Sequence, residues 1–198
     1  MNIEKLIGIS ANYFVLVTSC ITFIIGFRKR KTKPELKYLY WYPFASTVQL
    51  VISIIITVID IDKILGNIIV RTSIYLFLVA EFCLLYNFFI HTIRLPIIKR
   101  ALSVFSKVYV LLSLLYMIST DMFQEHPRTL YILQGFAILL PAVLYFIDLV
   151  HNPDFPELTK ESSFWVAIGV IFFFSCTLPL FLLGDFIFSK TGKIVENA

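Results

Sequence analysis

The apolar residues of this chain neither alternate nor keep to one stripe of a helix. They come in six long blocks, at about Leu6–Phe27, Tyr38 or Leu39 to Ile59, Ile68–Thr92, Leu102–Thr120, Thr129–Val150 and Phe164–Phe188. Each approaches or exceeds the ~20 residues that an α-helix needs to cross a ~30 Å hydrocarbon layer. Lipid offers the backbone no hydrogen-bond partner, so only helices and closed barrels span it. Blocks of this length without strict period-two alternation exclude a barrel. The connections are short and polar, which favours helical hairpins. The pattern predicts an all-α polytopic transmembrane helical bundle of about six spans, forming one domain over residues 1–198.

The first block is not patterned as a cleaved signal peptide. Such peptides carry positive charge before the apolar core, whereas here Arg28–Lys31 follow it. The stretch Val17–Cys20 is a faint match to a lipoprotein cleavage box, but the chain stays apolar beyond Cys20 (ITFIIGF). At the other end, Ser189–Ala198 (SKTGKIVENA) is polar and reads as a loop that ends early.

Composition strengthens the membrane reading. Of 198 residues, 59% are hydrophobic and only 15% charged, against about 25% charged in an ordinary soluble domain. A soluble chain of this length could not hide that much apolar surface. The net charge is +4, but Arg28–Lys37 (RKRKTKPELK) alone contributes +5, so everything else sums to −1. One basic loop beside an apolar run marks a membrane flank, not a nucleic-acid groove.

The basic residues also predict orientation. With the amino terminus outside, eleven Lys and Arg fall on the inner side and six on the outer. The inner set includes Arg28, Lys29, Arg30 and Lys31, a face for anionic lipid or a partner protein, and Lys107 near the inner end of the fourth block. Trp41 and Trp165 fall at the same predicted inner interface, with Tyr38, Tyr40 and Tyr42. Amphipathic rings prefer that depth.

Glu81 is the first candidate for function, near the middle of the third block. A charge at bilayer depth costs at least ~2.5–3.5 kcal/mol on insertion scales, so Glu81 is expected to face the protein interior. Gln49 lies at a similar depth, and Tyr109 and Ser175 belong to the same predicted layer, with Ser113 and Thr177 beside them. Two readings stand: a midplane polar cluster with a function, or an interhelical hydrogen bond that fixes packing. Pro141 and Pro179 interrupt the fifth and sixth blocks and free the carbonyls of Ala137 and Ser175. Such kinks line cavities in some membrane proteins and are merely tolerated in others.

The remaining polar residues sit at block ends. Asn87, His91 and Arg94 close the third; Asp148 and His151 close the fifth; Asp121, Glu125 and His126 lie in a connection. Solvated helix ends account for them. The only constellation for an intramembrane enzyme is Asp148, His151 and His91, which would have to meet. No GxSxG elbow, HExxH pair or phosphate-cradling glycine loop is present, and the three cysteines have no CxxC spacing. No metal or other cofactor is called for. There is also no GxxxG pair and no internal repeat of the transporter kind.

The segment Glu161–Leu183 carries Ser163-Phe164-Trp165, then Gly169, an aromatic run and Pro179. The basic first loop is followed by Tyr38–Pro43 (YLYWYP). In these features the chain resembles a group of small bacterial inner-membrane proteins, usually of about seven helices and often encoded beside sensor histidine kinases. Against that pattern a seventh apolar block is missing, so the chain is expected to be either a fragment or a member with six spans. The resemblance implies residence in the bacterial cytoplasmic membrane and a non-enzymatic sensory or signal-relay role. Its partners would be the lipid bilayer and a membrane-bound sensor kinase or a second copy of the chain, with no nucleic acid. The alternative is a small-solute transporter or channel with Glu81 in a midplane cavity.

Overall fold

The computed structural model describes residues 16–24, 36–59, 63–119, 128–151 and 161–196. These residues are helical apart from short caps and one connection, and no strand occurs among them. The helices are α1 (16–24), α2 (Lys37–Ile59), α3 (Lys63–Thr92), α4 (Pro96–Ser119), α5 (Arg128–His151) and α6 (Ser162–Glu196). Segments of α2 to α6 are long and apolar enough to cross a membrane, five candidate spans among the described residues. The first sequence block lies partly outside the described residues.

Several boundaries differ from those read off the apolar blocks. Helix α3 begins at Lys63, not Ile68, and α4 at Pro96, not Leu102. The cause is general. Hydropathy marks where lipid begins, whereas a helix continues into the polar interface wherever backbone geometry allows. At α4 proline sets the limit. Pro96 disfavours the α conformation at Leu95 and has no N–H to give, so α3 stops at Thr92 and α4 starts with proline in its first position. Ile93 still donates to the Phe89 carbonyl (2.9 Å), and Lys99 to that of Leu95 (3.0 Å). Helix α6 runs to Glu196, so Ser189 to Glu196 are helical and not the loop that their polarity predicts. A polar sequence without proline past Pro179 has nothing to break an established helix.

The chain divides into two compact units, Met1–His126 and Pro127–Ala198. In the first, α3 is the central element, packed by α2 and by α4. Leu78, Phe82, Tyr86, Phe88 and Phe89 of α3 form its core and are almost fully buried. In the second, α5 packs on α6. Gly135 makes the closest approach there: a Cβ at that position would lie 2.6 Å from Leu178 Cδ2 and 3.0 Å from its Cγ. Pro141 is buried, whereas Pro179 is exposed.

Hydroxyls in the spans are mostly satisfied within their own helix. Thr47 donates to Pro43 O, Thr72 to Ile68 O, Thr92 to Phe88 O, Ser113 to Tyr109 O and Thr177 to Phe173 O, each at 2.8 Å. This back-bonding lets a polar side chain sit at depth without needing water. The outward faces carry Val48, Ile55, Leu76, Leu111, Phe172 and Leu180, all exposed. An apolar exterior of this kind is stable only in lipid.

Trp41 and Trp165 are half-exposed near the amino-terminal ends of α2 and α6. In bilayers of brominated lipid, the fluorescence of each single-Trp form (W41F or W165F) is expected to be quenched more by bromines near the glycerol than by bromines near the chain ends. Equal quenching at both depths would contradict an interfacial position.

Candidate functional site

Glu81 faces inward and is only 7% exposed. The Tyr42 hydroxyl donates to its Oε1 at 3.0 Å, joining α2 to α3. The hairpin register explains the meeting. Tyr42 lies 17 residues before the end of α2 and Glu81 18 residues after the start of α3, and only three residues separate the helices. Antiparallel partners equidistant from a turn come to the same level. Hydropathy places Tyr42 only in the interfacial aromatic belt; this equidistance is the sequence signal that points to its partner.

A column of rings continues the site toward α4. Phe82 stacks on Tyr109 with centroids 4.0 Å apart and on Tyr86 at 4.3 Å, and Phe105 closes over Tyr86 at 5.9 Å. Tyr109 lies within electrostatic range of both Glu81 and Tyr86. Among the described residues the Tyr86 and Tyr109 hydroxyl oxygens are enclosed and meet no hydrogen-bond partner. Ser113, one turn from Tyr109, gives its own bond to the Tyr109 carbonyl. The seam therefore holds one carboxyl, its phenol donor, and two phenols with hydrogen-bonding capacity to spare.

The other candidates are placed as follows. Gln49 lies two turns from Tyr42 on the same face of α2, but its Nε2 donates to Ser53 Oγ of its own helix at 3.3 Å. Ser175 belongs to the second unit, where its side chain is exposed. Arg28, Lys29, Arg30 and Lys31 lie outside the described residues, as do Asp121, Glu125 and His126. His91 is bound by Tyr38: the Tyr38 hydroxyl is 2.8 Å from Nε2 and the rings stack at 5.1 Å, with Lys37 Nζ 4.8 Å from the Tyr38 ring centroid. This contact ties the start of α2 to the end of α3. Asp148 is buried in α5 and is not the solvated helix-end residue that its place at a block end predicts, and the His151 ring is 2.9 Å through Nδ1 from the Ile147 carbonyl. Among the described residues no group of three or more His, Cys, Asp and Glu could hold a metal.

Lys107 is not near an end of its helix. It stands 11 residues after Pro96 and 12 before Ser119, at the midpoint of α4, and it is exposed. Glu81 is likewise 11 residues from the Thr92 end of α3, so the two charges share a level. Tyr109 meets α3 through Phe82, whereas Lys107, two residues earlier on the helix, points away from that seam.

These features define a multi-pass helical membrane protein with a buried acidic and phenolic seam between its early helices. No protein-family model matches the chain, no curated protein matches it, and no solved structure matches it.

Proposed function

We propose that this protein is a non-enzymatic module of the bacterial cytoplasmic membrane, amino terminus outside, that senses or relays a signal through the packing of α2 against α3. The observation that carries this reading is the enclosure of Glu81. Its carboxyl is held by Tyr42, lies next to the stacked pair of Phe82 and Tyr109, and is only 7% exposed. A buried polar contact between two helices in lipid has few alternative partners, so shifting the helices exchanges one defined arrangement for another. The absence of catalytic motifs in the sequence and the likeness of Ser163–Trp165, Gly169 and Pro179 to kinase-associated membrane proteins support the same reading.

A second reading, a small-solute transporter or channel, draws on the unsatisfied Tyr86 and Tyr109 hydroxyls. Buried polar groups without partners are where a polar solute or a water would bind. Reconstitution separates the two. For a relay module, ion and small-solute flux into proteoliposomes of the full chain is expected to equal that of empty vesicles and to be unchanged by Glu81→Gln. Crosslinking in native membranes is expected to join the chain to a membrane histidine kinase or to a second copy. A flux that Glu81→Gln abolishes would overturn the relay reading in favour of transport.

A further inference from the structure

Helix α4 carries an open groove of about 790 Å³ between Pro96 and Val108. That volume is within the ~300–1,000 Å³ of sites that hold small ligands. Its lining includes Ile97, Val104, Phe105 and Val108, and among the described residues Arg100 is the charged side chain that borders it. Ile97 is 83% exposed and Val104 59%, so this face stands uncovered.

We propose that this groove binds one anionic phospholipid, with the phosphate at Arg100 and an acyl chain laid along Val104 and Val108. Three observations carry the assignment. The first is charge. Arg100 makes no ion pair among the described residues, and Lys99 stands beside it on the first turns of α4, at the positive end of the helix dipole. Lys107 lies seven residues on from Arg100, on the same side of the helix, and its flexible stem lets the ammonium reach back toward the headgroup. The second is length. Twelve residues of helix rise about 18 Å, close to the ~15 Å of one leaflet's hydrocarbon. The groove therefore begins at the cationic end of the helix and runs about as deep as one acyl chain. The third is the nature of the competing occupant. A second copy seated on this face by two-fold symmetry would set Arg100 and Lys107 against the same cations of its partner. Like charges in a low-dielectric interface repel, whereas a phosphate neutralises them.

The test is native mass spectrometry of the purified full chain released from detergent micelles containing equal amounts of phosphatidylglycerol and phosphatidylcholine. The wild-type chain is expected to retain one phosphatidylglycerol in preference to phosphatidylcholine. Arg100→Ala is expected to lower that retention roughly tenfold, the effect of losing one charge-assisted hydrogen bond of about 1.5 kcal/mol. Val104→Trp, which fills the groove and leaves Arg100 in place, is expected to lower it as well. It keeps the test open should Arg100→Ala fold poorly. Arg71→Ala, a cation on α3, is expected to change nothing. Equal retention of both lipids, or phosphatidylglycerol retained alike by the wild-type chain and both groove variants, would overturn the site. So would a dimer that Val104→Trp dissociates, which would give the face to a second copy.

Discussion

Replacing Tyr42 by Phe is expected to destabilise the folded chain by about 1–3 kcal/mol, the cost of taking a hydroxyl donor away from a buried carboxyl. The removed atom is a single hydroxyl, and the ring that packs near Phe77 remains. The loss would therefore report the bond to Glu81 and not the packing. Glu81→Leu is expected to cost a similar amount, because it strands the Tyr42 hydroxyl in the same apolar surroundings. The double variant Tyr42→Phe with Glu81→Leu is expected to lose less than the two single losses added together, because the bond between them is then counted once and not twice. Hydrogen bonds between membrane helices couple by ~0.6 kcal/mol on average and ~1.7 kcal/mol at most, and a carboxyl acceptor belongs toward the upper end of that range. Equilibrium unfolding in mixed micelles by SDS, followed by circular dichroism, would measure the cycle. Strict additivity would show that the two side chains do not interact.

At Gly135 the expected result depends on the size of the new side chain. Gly135→Ala sets a Cβ against the Leu178 side chain, which is itself buried. The strain of that contact opposes the ~0.8–1 kcal/mol that alanine gains over glycine within a helix, so the net change is expected to be small. Gly135→Leu cannot be absorbed in this way. It drives a branched side chain into space held by Leu178 and Phe174 and is expected to cost about 1–3 kcal/mol, the usual penalty of overpacking. Leu178→Ala in the Gly135→Leu background is expected to recover part of the loss. Unfolding of the purified chain in mixed micelles checks both. A Gly135→Leu chain as stable as the parent would mean that α5 and α6 do not approach this closely.

Tyr42, Glu81 and Gly135 differ in how far they are legible in the sequence. Glu81 can be singled out from hydropathy alone, since a carboxylate inside an apolar block is costly wherever it points. Its partner cannot be found that way, because tyrosines are also expected at interfaces and Tyr42 sits among several. Gln49, which shares the depth of Glu81, turns to Ser53 on its own helix. A side chain with a local acceptor one turn away has no need to reach across. Gly135 carries no warning, because the familiar signal for close helix approach is a pair of small residues four apart, and here one glycine faces one leucine. Lys107 reads as a helix-end residue only while the polar-edged stretch ahead of Leu102 is left out of the span; with Pro96 as the first helical residue it falls at the centre.

The order of residues was enough to determine that the protein is helical, that its helices run through lipid, and that Glu81 must be shielded. Each of these follows from transfer free energy along a single segment. What faces Glu81, which phenols are left unsatisfied, where α5 and α6 touch most closely, and which side of α4 stays bare were decided only in three dimensions. In a bilayer the buried and lipid-facing sides of a helix are equally apolar, so hydrophobicity selects the spans and leaves their rotation and register to packing and to a few polar contacts.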